Sequence, residues 1–232
     1  MPDSYKLLSV IIPVYNEKTT ISEVIEKVSA VELPIEKEII VIDDGSTDGT
    51  VEVLRAGQVK ITKTFLTPVN IGKGAAVRIG LTLVKGDIIL IQDADLELNP
   101  NEYYQLIEPI LDGKTSVVYG SRFLGENSVS PIRRFANYFL TFTTNLLFGT
   151  KLTDMETAYK VFTKEVAHTL KLEANRFEIE PEMTAQIARK GFKILEVPIS
   201  YRPRSESEGK KIKWKDGVKA LWTLLKYRFL KK

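Results

Sequence analysis

Three apolar runs in this chain each end in acidic or polar residues, and that repetition limits the available folds more than any other feature. Residues 8–14 run into Tyr15-Asn16-Glu17, residues 38–42 into Asp43-Asp44-Gly45-Ser46, and residues 87–92 into Asp93-Ala94-Asp95. Continuous β-branched runs suit strands buried on both faces, as in a parallel sheet. Between and after them the spacing predicts helices at Ile21, Val24, Ile25 and Val28, at 50–56, 73–84 and 102–111, with further strands at 60–66 and 116–120. This alternation predicts an α/β fold: a mostly parallel central sheet flanked by helices.

Beyond residue 120 the rhythm changes. A helix is expected at 133–148, with Phe135, Tyr138, Phe139, Phe142 and Leu146 along one face, then a strand at 157–162, a helix at 181–189 and a strand at 192–199. Residues 202–213 are polar and charged, so a loop. Residues 214–230 form an amphipathic helix whose stripe is Trp214, Val218, Leu221, Trp222, Leu225 and Phe229, flanked by Lys215, Lys219 and Lys226. The expected organisation is one domain over 1–200, followed by a basic loop and an amphipathic, membrane-interfacial helix over 201–232.

Charge supports that division. The 232 residues carry a formal net charge of +3. Residues 201–232 hold 11 Lys/Arg against 3 Asp/Glu, which leaves the first 200 with 22 basic and 27 acidic side chains. A basic tail on an acidic body suggests an anionic partner. Nucleic acid is disfavoured, because no recognition module is present and the acidic body repels a duplex. The polar N-terminus has no secretory character, and no apolar stretch approaches the ~18 residues of a bilayer span. The expectation is a cytoplasmic protein held peripherally on the cytoplasmic face of a membrane, with recruitment by a separate membrane subunit left open.

Composition narrows the chemistry. With no cysteine there is no thiol nucleophile, Cys-ligated zinc or iron–sulfur cluster. The single histidine, His168, excludes multi-histidine metal sites and reads as a structural helix residue. Carboxylates remain. Ligands of open parallel sheets bind beyond the carboxyl ends of the strands, where the three acidic clusters gather. Such a concentration of negative charge calls for a cation. In an extended segment Asp93 and Asp95 point the same way, and Glu97 continues the alternation. Hard oxygen ligands suit Mg²⁺ or Mn²⁺, with open positions for water and phosphate. No P-loop is present, and Gly72-Lys73-Gly74-Ala75-Ala76-Val77 only imitates a dinucleotide fingerprint. Lys73, near a helix N-terminus, is placed to meet an anion.

In order along the chain stand Val10-Ile11-Ile12-Pro13-Val14-Tyr15-Asn16-Glu17, Ile42-Asp43-Asp44-Gly45-Ser46-Thr47-Asp48-Gly49-Thr50, Asn70-Ile71-Gly72-Lys73-Gly74 and Asp93-Ala94-Asp95. Together they resemble the family 2 inverting glycosyltransferases of GT-A fold. The later part is similar to the polyprenyl (dolichol) phosphate mannosyl- and glucosyltransferase branch, through Gly120-Ser121-Arg122, Thr153-Asp154-Met155-Glu156-Thr157, Pro198 to Arg204 and Gly209-Lys210-Lys211. Glu97 stands where the mannosyltransferases usually have Gln, and Ala158 where Gly is common.

The resemblance implies a reaction: transfer of a hexose from a GDP-mannose or UDP-glucose type donor to a polyprenyl phosphate. Pro13, Tyr15, Glu17, Asp44, Lys73, Asp93, Ala94 and Arg122 would bind the donor nucleotide. Asp93, Asp95 and Glu97 would hold Mg²⁺ or Mn²⁺. Arg133, Arg134, Arg202 and Arg204 would meet the acceptor phosphate, and Arg204 and Lys210 belong to a basic loop closing over the phosphates. Asp95, Asp154, Arg204 and Lys210 are the expected catalytic set. An ionised phosphate acceptor needs no strong base, so Asp154 is expected to position rather than deprotonate. A sugar-hydroxyl acceptor would need a base, Asp154 or Glu156. A family 2 enzyme acting on such a hydroxyl is the alternative enzyme, and a nucleotide-binding, membrane-peripheral scaffold the alternative without catalysis.

Overall fold

In the computed structural model the described residues are 5–57, 60–125, 127, 130–204 and 214–230. The strands are β1 (Leu7–Val14), β2 (Glu36–Asp43), β3 (Lys63–Leu66), β4 (Ile88–Ile91), β5 (Val117–Ser121), β6 (Lys160–Thr163) and β7 (Ile194–Pro198). They form one sheet in the order β3-β2-β1-β4-β6-β5-β7. All neighbours pair in parallel except β6, which runs antiparallel to both β4 and β5. The α/β, mostly parallel sheet expected from the alternation is therefore present.

The helices are α1 (Ile21–Ala30), α2 (Thr50–Arg55), α3 (Lys73–Leu83), α4 (Tyr103–Leu111), α5 (Pro131–Phe148), α6 (Lys164–Thr169), α7 (Ile179–Arg189) and α8 (Trp214–Leu225), the last continuing as a π-turn over Lys226–Leu230. Alternate strand residues serve opposite faces. Val10 and Ile12 pack with Ile21, Val24, Ile25 and Val28 of α1 and with Leu106 and Ile110 of α4. Ile11, Ile89 and Phe162 pack on the other side with Ala76 and Val77 of α3, Met183 and Ile187 of α7, and Leu224 of α8.

Two helices turn apolar residues of their stripes outward. The apolar face of α5 points outward: Phe135 is 72% exposed and Leu146 73%, with Tyr138, Phe139 and Phe142 also exposed. Its buried side carries Asn137, Leu140, Thr141 and Thr144. The reason lies in the irregular segment beneath, whose backbone groups need partners. The Asn145 side chain bonds both the N–H and the C=O of Leu152, and Thr141 Oγ1 accepts from the Met155 N–H. In α8 the inward residues are Ala220, Thr223, Leu224 and Tyr227, while Val218, Trp222 and Phe229 of the expected stripe are exposed and Leu221 and Leu225 half-buried. Among the described residues no helix is long and apolar enough to cross a membrane.

Candidate active site

Strand order brings the acidic clusters together. β2, β1 and β4 are adjacent and parallel, with Val14 beside Asp43 and Ile11 beside Ile91, so their carboxyl ends share one edge of the sheet. Asn16, in a left-handed conformation (φ 52°), turns the chain after β1. Its N–H donates to Ser46 Oγ and its side-chain oxygen accepts from the Thr47 N–H, tying the first cluster to the second. Pro13 lies buried within β1 and Tyr15 half-buried just beyond it.

Asp44 is buried and engaged at both oxygens. Oδ1 accepts from the Ile71 N–H (2.9 Å), and Oδ2 from the Gly72 N–H and Asn70 Nδ2 (2.7 Å each). Burial raises its pKa, against the pull of those N–H groups. Asp44 thus holds the 70–72 loop in place. Gly72 and Gly74 serve close packing: a Cβ on Gly74 would lie 2.5 Å from the Ala174 carbonyl oxygen, and one on Gly72 2.4 Å from that of Asn175. They seat α3 on the 174–176 segment, the structural alternative to a dinucleotide cradle.

Asp93, Ala94 and Asp95 form a turn rather than an extended strand end, and Leu96 is left-handed (φ 59°). That breaks the alternation expected to carry Glu97 alongside the two aspartates. Glu97 instead engages the segment after β7: Oε1 accepts from the Arg204 N–H (2.7 Å) and Oε2 from the Tyr201 hydroxyl (3.1 Å). Among the described residues no three acidic or histidine side chains converge as a metal-ligating group. Asp93 and Asp95 remain as a two-carboxylate, hard-oxygen donor set. It fits Mg²⁺ or Mn²⁺ whose other ligands are water and diphosphate oxygens.

Cations already meet these carboxylates. Lys73 Nζ lies 2.7 Å from Asp93 Oδ1 and 3.0 Å from Glu180 Oε1. The Arg204 guanidinium forks onto Glu17 (2.9 and 3.0 Å) and reaches Asp95 Oδ2 at 3.1 Å. Burial, then Asp93 and Glu97, push the Asp95 carboxyl up to about 6, with Arg204 opposing. Arg204, of the basic segment expected to close over phosphates, therefore lies across Glu17, Asp95 and Glu97, and residues 205–213 lie outside the described residues. Arg202 is exposed, its N–H on the Glu97 carbonyl.

Further along the same edge, just past the carboxyl end of β5, Arg122 forms a bidentate pair with Asp154: Nε to Oδ2 at 2.7 Å and Nη2 to Oδ1 at 2.8 Å. Asp154 also accepts from the Arg122 N–H and from Asn137 Nδ2, and is 0% exposed. A carboxylate so saturated orients its arginine; it has no free oxygen for a proton. Glu156 differs. Its Oε1 is buried with no hydrogen-bond partner, and burial, opposed chiefly by Lys160, pushes the carboxyl up to about 7.

Next to the pair opens a cavity of about 340 Å³ bordered by Phe123, Arg134, Tyr138, Phe142 and Leu152. The Arg122 and Arg134 guanidinium carbons each lie 5.9 Å from the centre of the Phe123 ring. This links the buried arginine to the outward apolar face of α5. Arg133 belongs to α5, but its side chain lies outside the described residues, as does Lys210. His168 sits exposed in the last turn of α6.

Several residues of this arrangement were not singled out from the sequence: Lys160, Glu180, Asn137, Phe123 and Tyr201. A lysine inside the apolar strand run Tyr159-Lys160-Val161-Phe162 was a readable signal for a buried, paired charge. Glu180 in an ordinary helix start was not.

The family model described as glycosyl transferase family 2 matches residues 9–170. Protein MJ1222 of Methanocaldococcus jannaschii is 30% identical over 93% of this chain and 90% of its own length. A dolichyl-phosphate β-glucosyltransferase of Trichomonas vaginalis is 29% identical over 94% of this chain and 72% of its own. An undecaprenyl-phosphate 4-deoxy-4-formamido-L-arabinose transferase of Aeromonas hydrophila is 29% identical over 88% and 63%. Among solved structures, glucosyl-3-phosphoglycerate synthase from Mycobacterium tuberculosis, in complex with Mn²⁺, UDP and glucosyl-3-phosphoglycerate, superposes with a TM-score of 0.73 at 22% identity, covering 97% of this chain and 80% of that one. The shared fold is the expected GT-A fold. The chain belongs to glycosyltransferase family 2.

Proposed function

We propose that this family 2 glycosyltransferase moves a hexose from a nucleoside-diphosphate sugar, of GDP-mannose or UDP-glucose type, to a polyprenyl phosphate at the cytoplasmic surface of a membrane. The observation that carries the reading is a juxtaposition. Tyr201 joins the carboxylate edge to the Arg122–Phe123–Arg134 row, its hydroxyl donating to Glu97 and its ring centre 5.2 Å from the Arg122 guanidinium carbon, and that row leads to the exposed aromatic face of α5. A lipid phosphate needs both cations for its head and an apolar surface beside its chain.

Glu17, with Pro13 and Tyr15 at the end of β1, and the loop held by Asp44 bind the nucleoside. Asp93 and Asp95 hold a divalent cation, which when bound neutralises charge on the departing diphosphate. Lys73 adds fixed positive charge where the leaving group develops its negative charge. Donor binding releases Arg204 from Asp95 and Glu17 towards the phosphates, with Lys210 in the same loop. Asp154 aims Arg122, and Arg122, Arg134, Arg133 and Arg202 meet the acceptor phosphate. That phosphate is largely ionised at neutral pH, with a second pKa of about 6, so displacement at the anomeric carbon needs no carboxylate base. The aromatic face of α5, with Trp222 of α8 and Phe229 just beyond it, rests in the headgroup region, and the exposed Lys219 faces anionic lipid.

A second reading rests on Glu156. Its unpartnered oxygen and raised pKa suit a general base, as transfer to a sugar hydroxyl would require. The experiment that decides is incubation with Mg²⁺ or Mn²⁺, labelled nucleoside-diphosphate sugars and a polyprenyl phosphate in detergent. Label entering the lipid, and lost with chelator or with Asp95→Ala, supports the first reading. Turnover only on a sugar hydroxyl, lost with Glu156→Gln, supports the second. No binding of any nucleotide sugar overturns both.

A further inference from the structure

Lys160 lies in the middle of the sheet, in a strand flanked by β4 and β5, and is 0% exposed. Its ammonium donates to the Met155 carbonyl (3.0 Å), the Thr157 carbonyl (2.5 Å) and Glu180 Oε2 (2.6 Å), 4.7 Å from the centre of the Tyr119 ring. All three donors of this buried cation are thereby used. Glu180, in the first turn of α7, turns its other oxygen to Lys73, and Lys73 passes the contact to Asp93. The result is a row of alternating charge, Lys160–Glu180–Lys73–Asp93, running from the sheet interior to the carboxylate edge. Each member comes from a different part of the fold: β6, α7, α3 and the turn after β4.

Stability does not account for such a row. Buried ion pairs are often matched or bettered by apolar residues of similar volume, because both charges lose their water. What the row does is fix its outer end. A lysine ammonium rides on a flexible four-carbon stem. Here two carboxylates hold it, Asp93 at 2.7 Å and Glu180 at 3.0 Å. Two of its three donors are set by carboxylates of the described residues, which leaves the third for a phosphate oxygen.

We infer that Glu180 and Lys160 are positioning residues for the donor diphosphate, acting through Lys73. The inference rests on the proposed nucleotide-sugar reading and adds to it residues that never touch the ligand. A cation anchored this way needs no reorganisation when charge appears on the diphosphate.

The test is calorimetric binding of UDP and GDP, and of UMP and GMP, each with Mn²⁺, alongside thermal unfolding. Glu180→Gln leaves two lysines facing each other and lowers both stability and diphosphate affinity. The double variant Glu180→Gln/Lys160→Met removes one charge of each sign and restores most of the stability. It still binds the nucleoside diphosphate about ten- to a hundredfold more weakly than wild type, with monophosphate affinity little changed. Lys73→Gln removes the contact itself and reproduces the diphosphate loss, with some loss of stability because Glu180 and Asp93 each lose a partner. The inference is overturned if the stable double variant binds the diphosphate as wild type does, if Lys73→Gln does so, or if mono- and diphosphate affinities fall together. Failure of the wild type to bind either diphosphate overturns the nucleotide-sugar reading instead, and the inference with it.

Discussion

Helices α1 and α5 share one sequence periodicity and use it in opposite ways. In α1 the stripe Ile21, Val24, Ile25 and Val28 is buried against β1 and β2. In α5 the stripe Phe135, Tyr138, Phe139, Phe142 and Leu146 faces out, while Asn137, Thr141 and Thr144 are buried. Period 3.6 says that a helix has an apolar side; it does not say which solvent that side meets. For α1 the answer is the protein core. For α5 the inward side is claimed by polar side chains that hold the 152–155 backbone and Asp154. Its aromatic residues are left as a contiguous exposed patch, the mark of an interaction surface.

The contrast can be broken by substitution. Ile25→Asp places an unpaired charge in the core and is expected to cost about 4 kcal/mol or more, enough to abolish folding; urea denaturation measures it. Asn137→Leu, on the inward side of α5, removes a donor from Asp154 and is expected to cost about 1–3 kcal/mol, with slower turnover as Arg122 loosens. Glu156→Gln tests the buried carboxyl beneath the same helix. The folded protein keeps a proton on Glu156 up to about 7, whereas an ordinary glutamate releases it near 4.5. Its contribution is therefore fully present below 4.5 and is lost as pH rises through 7. Thermal unfolding is expected to find the variant more stable than wild type by about 1–2 kcal/mol at pH 8 and equal to it at pH 4. The smallest change in stability belongs to the outward face: Phe135→Asp with Leu146→Asp should shift it by no more than about 0.5 kcal/mol. The same pair should abolish flotation with anionic vesicles.

Much of this was legible from residues alone. β1, β2 and β4 are continuous apolar runs, and their acidic ends had to meet once the strands were parallel neighbours. β6 was harder, since nothing in Lys160–Thr163 signals that the strand runs against the sheet. The path of the chain at Glu97 was not legible, because alternation assumes extended backbone and Leu96 turns left-handed. The facing of α5 escaped because it is decided by hydrogen bonds to residues 152–155, not by its own pattern. The grip of Arg204 on Glu17 joins residues 187 positions apart, a pairing local spacing cannot encode. Lys210, proposed for the same loop, lies outside the described residues.

The direct test of the account is sugar transfer by wild type and by the Phe135→Asp/Leu146→Asp variant to two acceptors. One is a long-chain polyprenyl phosphate in anionic vesicles, the other a short, water-soluble prenyl phosphate. The account predicts that wild type glycosylates both, and that the variant keeps the short acceptor while losing at least about tenfold on the vesicle-bound one. Equal rates for variant and wild type on the vesicle-bound acceptor, or no transfer by wild type to either phosphate, would contradict it.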